Sequence, residues 1–99
     1  MIELSIVLLS ANLVECSCDI DFVDPSFAPG TGTPEIGGPN AFEAQKVIRA
    51  LLGLKLVGAD LVEVSPPFDP SGGTAWLGAS LMFELIFILA YAINNRRKA

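Results

Sequence analysis

Two runs rich in proline and glycine divide this chain and limit what it can fold into. Residues 24–39 hold Pro25, Pro29, Pro34 and Pro39 with four glycines, and residues 65–73 hold Pro66, Pro67, Pro70, Gly72 and Gly73. Proline lacks a backbone donor, and glycine loses the most freedom on ordering, so neither run suits the interior of a helix or strand. The segments around them must supply the fold. Leu4 to Phe22 is apolar and β-prone, with a strand expected over 13–21. Asn40 fits a helix N-cap, with Glu43 as its capping-box partner. Ala44, Val47, Ile48, Leu51 and Leu52 then recur at helical spacing up to Gly53, which reads as the residue past the helix end. Residues 55–64 are almost continuously apolar and predict a second strand buried on both faces. Residues 74–93 predict a long helix, begun by Gly72-Gly73-Thr74. The order strand, loop, helix, strand, loop, helix predicts an α/β chain: a βαβα unit with parallel strands and a right-handed crossover.

In open sheets of this kind ligands collect beyond the carboxyl ends of the strands. Asp19 and Asp21 close the first strand, and Glu63 closes the second. Residues two apart on an extended strand point the same way, so the two aspartates should present their carboxylates together. Convergent oxygens suit hard or borderline divalent cations. Asp-x-Asp by itself is also ordinary turn chemistry. Carboxylates from two separate strands on one edge are harder to explain that way. Gly30 and Gly32 do not read as a phosphate cradle, because no basic residue or helix start directly follows them.

Ninety-nine residues make one small domain, and 52% apolar with 17% charged residues suits part of a larger α/β domain. A net charge of −5 argues against nucleic acid as a partner. The basic cluster Arg96-Arg97-Lys98 reads as complementing a helix C-terminus. Cys16 and Cys18 are poorly spaced to bridge each other and are expected as reduced core residues of a cytoplasmic protein. The start Met1-Ile2-Glu3-Leu4 has no basic region of the secretory kind. The apolar stretch 76–93 resembles a membrane span in length, but Glu84 near its middle is costly in lipid. A buried helix with no membrane partner is therefore expected. Histidine is absent from the whole chain.

The run from Ser17 to Glu35, with Asp19, Asp21, Asp24-Pro25 and Pro29-Gly30-Thr31-Gly32-Thr33-Pro34-Glu35, resembles the C-terminal signature of the ureohydrolases, the manganese enzymes that include arginase and agmatinase. A second match, Asp60-Leu61-Val62-Glu63-Val64-Ser65-Pro66-Pro67-Phe68-Asp69, and Phe83-Glu84 in the closing helix extend the resemblance over about residues 17–92. Residues 1–15 stand apart as a divergent apolar segment. The stretches Pro29 to Glu35 and Glu63 to Pro67 are similar to the agmatinase branch. The resemblance implies a three-layer, parallel-sheet arginase-like fold, with residues 16–99 as its C-terminal βαβα part.

It further implies that Asp19 and Asp21 are ligands of a two-manganese centre and that Glu63 grips the substrate guanidinium. Thr33 would line the pocket near that group, while Asp24 and Pro25 would shape the loop. The implied reaction hydrolyses agmatine or a similar guanidino compound to urea and an amine, using water acidified by manganese, in an enzyme that is a homo-oligomer when intact. The other ligands and the proton-shuttling histidine of such an enzyme lie upstream, so no catalytic residue is assigned here. The chain reads as the last third of an agmatinase. The other reading is a non-catalytic truncated homologue that docks on a full-length ureohydrolase.

Overall fold

The computed structural model describes residues 4–8 and 12–98; Met1-Ile2-Glu3, residues 9–11 and Ala99 lie outside the described residues. One sheet has its strands in the order β1 (Leu4–Leu8), β2 (Val14–Asp19) and β3 (Leu56–Val62). β2 and β3 run parallel, as the unit predicts, with Cys16 opposite Ala59 and Asp19 opposite Val62. β1 pairs antiparallel with β2, with Ile6 opposite Cys16. The apolar start of the chain therefore contributes a strand of its own, and the sheet is a parallel pair with an antiparallel edge.

Alternation along β2 sorts the sheet faces. Val14, Cys16 and Cys18 are buried, whereas Glu15 is exposed. The buried side lies under α1 (Ala41–Arg49) and α2 (Gly73–Lys98), which add Ala44, Ile48, Leu77, Leu81 and Leu85 to the same core. Each fully buried leucine is worth about 1.5–3 kcal/mol relative to exposure, so Leu56, Leu81 and Leu85 hold α2 against β3. The opposite face carries Asp60, which is exposed and accepts a hydrogen bond from Ser17 Oγ at 2.6 Å. β3 is consequently not buried on both faces, contrary to its apolar run. Leu56 is its one buried residue, and Val57 and Val62 are exposed, because among the described residues helices cover one side of the sheet.

The capping box forms as read. Asn40 Oδ1 accepts from Glu43 N at 2.8 Å, and Glu43 Oε1 accepts from Asn40 N at 3.0 Å. The helix ends sooner than expected, at Arg49; Gly53, with φ 104°, closes the turn over residues 50–53 rather than the helix. α2 instead runs past Ile93 to Lys98. Arg96 does not serve the end of its own helix: its Nη1 donates to Leu56 O at 2.7 Å, tying the end of α2 to the start of β3. α2 thus runs antiparallel to β3, and its N-terminus comes to the edge where β2 and β3 end. By length and composition α2 could cross a membrane. Its inner side packs on β3 and α1, where Arg49 Nη2 donates to Glu84 at 2.6 Å and Gln45 Nε2 donates to Ser80 Oγ at 3.0 Å. Its outer side exposes Trp76, Phe83, Ile86, Phe87 and Tyr91, with Phe83 and Phe87 meeting edge-to-face at 4.8 Å. Cys16 and Cys18 are free and buried, as expected. Burial, reinforced by Cys16, Asp19 and Asp60 nearby, pushes the Cys18 thiol up to about 12, which makes it an inert core group.

Candidate functional site

β2 ends at Asp19, and Ile20–Phe22 forms a 3-10 turn. Asp21 is therefore not on the strand, and strand alternation is not what aligns it with Asp19. The turn itself brings the two together: Asp19 caps it, with Oδ1 accepting from Asp21 N at 3.1 Å. Asp21 is folded inward until only 6% of it is exposed. One of its oxygens, Oδ2, accepts a hydrogen bond from Thr33 Oγ1 at 2.5 Å. The other, Oδ1, is buried and has no hydrogen-bond partner among the described residues. A buried carboxylate oxygen left without a partner is costly, and a cation is the natural group to satisfy it.

The parallel register places Glu63 on the same edge, one residue beyond Val62, the partner of Asp19. Glu63 has a left-handed backbone, φ 71°, which costs a non-glycine residue about 1–2 kcal/mol. Such strain is retained at places where it redirects a functional group. Asp19 feels the other two carboxylates. Burial pushes the Asp19 carboxyl above its ordinary value; the Asp21 N–H opposes this, and the Asp21 and Glu63 carboxylates add to it. A bound cation would relieve that repulsion. Among the described residues, no group of three or more His, Cys, Asp or Glu could hold a metal ion unaided. Asp19 and Asp21 thus fit a metal as part of a ligand set.

The loop between the turn and α1 is held by Asp24, in the structural role the resemblance implies. Its Oδ1 accepts from Ser26 N and its Oδ2 from Gly37 N, each at 2.9 Å, while its own N–H donates to Pro39 O at 2.9 Å. The Ser26 and Gly37 amides hold its carboxyl below the usual carboxylate range. Gly38 is packed so closely that a Cβ there would lie 2.2 Å from Phe22 O. Thr33 stands on the exposed part of this loop, with its hydroxyl proton committed to Asp21.

Sequence reasoning missed Thr31, which is 2% exposed with an unpartnered Oγ1, and the buried pair Asp69 and Thr74 behind the site. No local pattern marks Asp69, which stands outside the usual N-cap position of α2. Cavities of 430 and 560 Å³ lie along the C-terminal half of α2, one beside Lys55 and Arg96 and the other beside Arg49 and Glu84. Neither reaches Asp19, Asp21 or Glu63, since α2 carries them toward the opposite edge of the sheet.

The model of the arginase family matches residues 5–88, beginning inside the stretch 1–15 that reads as divergent. A guanidinopropionase of Pseudomonas aeruginosa is 64% identical over 83 residues, covering 84% of this chain and 26% of its own length. A mitochondrial agmatinase of Gallus gallus is 55% identical over 76 residues, 77% of this chain and 22% of that protein. Among solved structures, the proclavaminate amidino hydrolase of Streptomyces clavuligerus superposes with a TM-score of 0.73 at 47% identity, covering 77% of this chain and 25% of that one. The chain spans about a quarter of the length of the relatives it matches.

Proposed function

This chain belongs to the arginase family, and from that premise we propose that it supplies the guanidinium-binding edge and part of the two-manganese centre of an agmatinase-like ureohydrolase. The substrate is a guanidino compound, agmatine or a similar one, and the products are urea and an amine. One observation carries the reading: the buried, unpartnered Oδ1 of Asp21 stands beside Asp19 on an edge shared with Glu63. Asp19 and Asp21 would hold the metal. Manganese bound there would supply an acidified water as nucleophile near neutral pH.

The chain's own residues do the rest of what can be assigned. Thr33 donates its hydroxyl hydrogen bond to Asp21 Oδ2, which leaves Oδ1 as the oxygen open to a metal. Glu63 accepts guanidinium N–H groups in a fork, a geometry that a carboxylate matches, and so orients the carbon to be attacked. Proton transfer falls to residues outside this chain, which contains no histidine. These 99 residues alone are accordingly expected to release no urea.

The test is a fusion in which the aligned 83 residues of this chain replace their counterparts in the guanidinopropionase of Pseudomonas aeruginosa, 64% identical to them. The expected result is manganese-dependent urea release from a guanidino substrate. A folded fusion that binds manganese but releases none would overturn the proposal. The second reading, a non-catalytic chain that docks on a full-length ureohydrolase, draws on the uncovered aromatic side of α2; it is favoured if the chain co-purifies with that guanidinopropionase while the fusion stays inactive.

A further inference from the structure

The two loops that carry the site meet at Gly30, and one buried hydroxyl holds that glycine. Gly30 lies in the loop after β2, three residues before Thr33, and Ser65 lies two residues after Glu63. Gly30 O accepts from Ser65 N at 2.6 Å, and Gly30 N donates to Thr74 Oγ1 at 2.8 Å. Thr74 is in the first turn of α2 and is 1% exposed. Its hydroxyl donates to Asp69 Oδ2 at 2.7 Å, and the same carboxylate oxygen accepts Thr74 N at 2.7 Å.

A hydroxyl has one proton to give. Because that proton goes to Asp69, the Thr74 oxygen is left as an acceptor, which is what the Gly30 N–H requires. Asp69 therefore orients Thr74, Thr74 orients Gly30, and Gly30 orients Ser65. Ser71 and Thr74 hold the Asp69 carboxyl below its ordinary range, so it remains a charged acceptor. Shape closes the same contact: a Cβ on Gly30 would lie 2.8 Å from Thr74 Oγ1 and 2.9 Å from Asp69 Cβ. Helix capping accounts for the bond from Thr74 N to Asp69. It does not account for a hydroxyl turned toward a loop 44 residues away along the chain.

We propose that Asp69 and Thr74 are positioning residues that set the spacing between the Asp19–Asp21 pair and Glu63, and thereby between the metal ligands and the guanidinium clamp. The catalytic half of this inference rests on the ureohydrolase reading; the linkage itself does not.

Two substitutions separate the possibilities. Thr74→Val keeps the shape and removes the hydroxyl, whereas Thr74→Ser keeps the hydroxyl. In the full 99-residue chain, Thr74→Val should raise amide hydrogen exchange at Gly30 and Ser65 about tenfold, as expected for one lost buried hydrogen bond. The amides between β2 and β3 should keep their protection, and Thr74→Ser should restore the loops. In the fusion described above, Thr74→Val should lower kcat about tenfold with KM within about twofold, because Glu63 still binds but presents the carbon out of line. Manganese content should not change, and Thr74→Ser should recover kcat. Exchange that rises uniformly through β2 and β3, or fails to rise at Gly30 and Ser65, would show a helix cap and overturn the linkage. Raised loop exchange with unchanged kcat would overturn the positioning role. An unsubstituted fusion that binds manganese without releasing urea would remove the catalytic half together with the function it rests on, while the exchange result still decides the linkage.

Discussion

At the carboxylate edge, one stretch of this chain after another answers the polar groups of its neighbours: Asp19 accepts from the Asp21 amide, Thr33 donates to Asp21, Thr74 accepts from Gly30 N and Ser65 N donates to Gly30 O. Along the outer side of α2 the reverse holds. Trp76, Phe83 and Phe87 are each more than 60% exposed, and no described segment covers them. In the first region the buried side-chain polar atoms find partners within the described residues, apart from Asp21 Oδ1 and Thr31 Oγ1; the second is an apolar surface of the kind that contacts further protein. The difference teaches that hydrogen bonds between loops can assemble part of a site on a piece of a fold, while the burial of its helices depends on more surface than the piece holds.

The largest expected effect tests whether the edge is chemically special. In the fusion, Asp21→Ala should abolish manganese binding and bring urea release to background, while Trp76→Ser should leave both intact; metal analysis and a urea assay read the outcome. Comparable losses from both changes would erase the contrast between the regions. A second comparison stays within α2. Leu81→Ala on the buried side should cost about 2–5 kcal/mol by denaturant unfolding, and Phe83→Ala on the outer side should stay within about 0.5 kcal/mol. Equal costs would mean that the outer side is packed in solution. Third, Glu63→Gln in the fusion should keep the metals and weaken guanidino-substrate binding by about 1.5–3 kcal/mol, the worth of a charge-assisted contact. Loss of manganese with this variant would reassign Glu63 to the metal.

The smallest effect concerns pH. The Asp19 carboxyl is raised in the fold by burial and then by its acidic neighbours, so the folded chain holds that proton more tightly than the unfolded chain does. Stability is therefore lost as pH rises from the ordinary value of 3.8 through the raised one, and the penalty is complete above it. Asp19→Asn should make the metal-free chain more stable at neutral pH, with the gain disappearing below about pH 3.8. A gain of the same size at every pH would point to something other than this titration.

Periodicity and punctuation in the sequence were enough for the strands β2 and β3 and their parallel order, the capping box at Asn40 and Glu43, the long helix, and the placing of Asp19 and Glu63 at the ends of neighbouring strands. These depend on alternation, helical spacing and proline or glycine placement, all of which act between residues close in the chain. The ureohydrolase signature likewise lay in two contiguous stretches. What sequence could not give was decided across distance. Whether Asp21 continues a strand or turns inward depends on Thr33, in the loop beyond, reaching its carboxylate. The exposure of β3 depends on which face the helices cover, and the reach of Arg96 to Leu56 depends on the antiparallel course of α2. The left-handed turn at Glu63 leaves no mark in the sequence, and the bond from Gly30 to Thr74 joins segments that only the folded chain brings together.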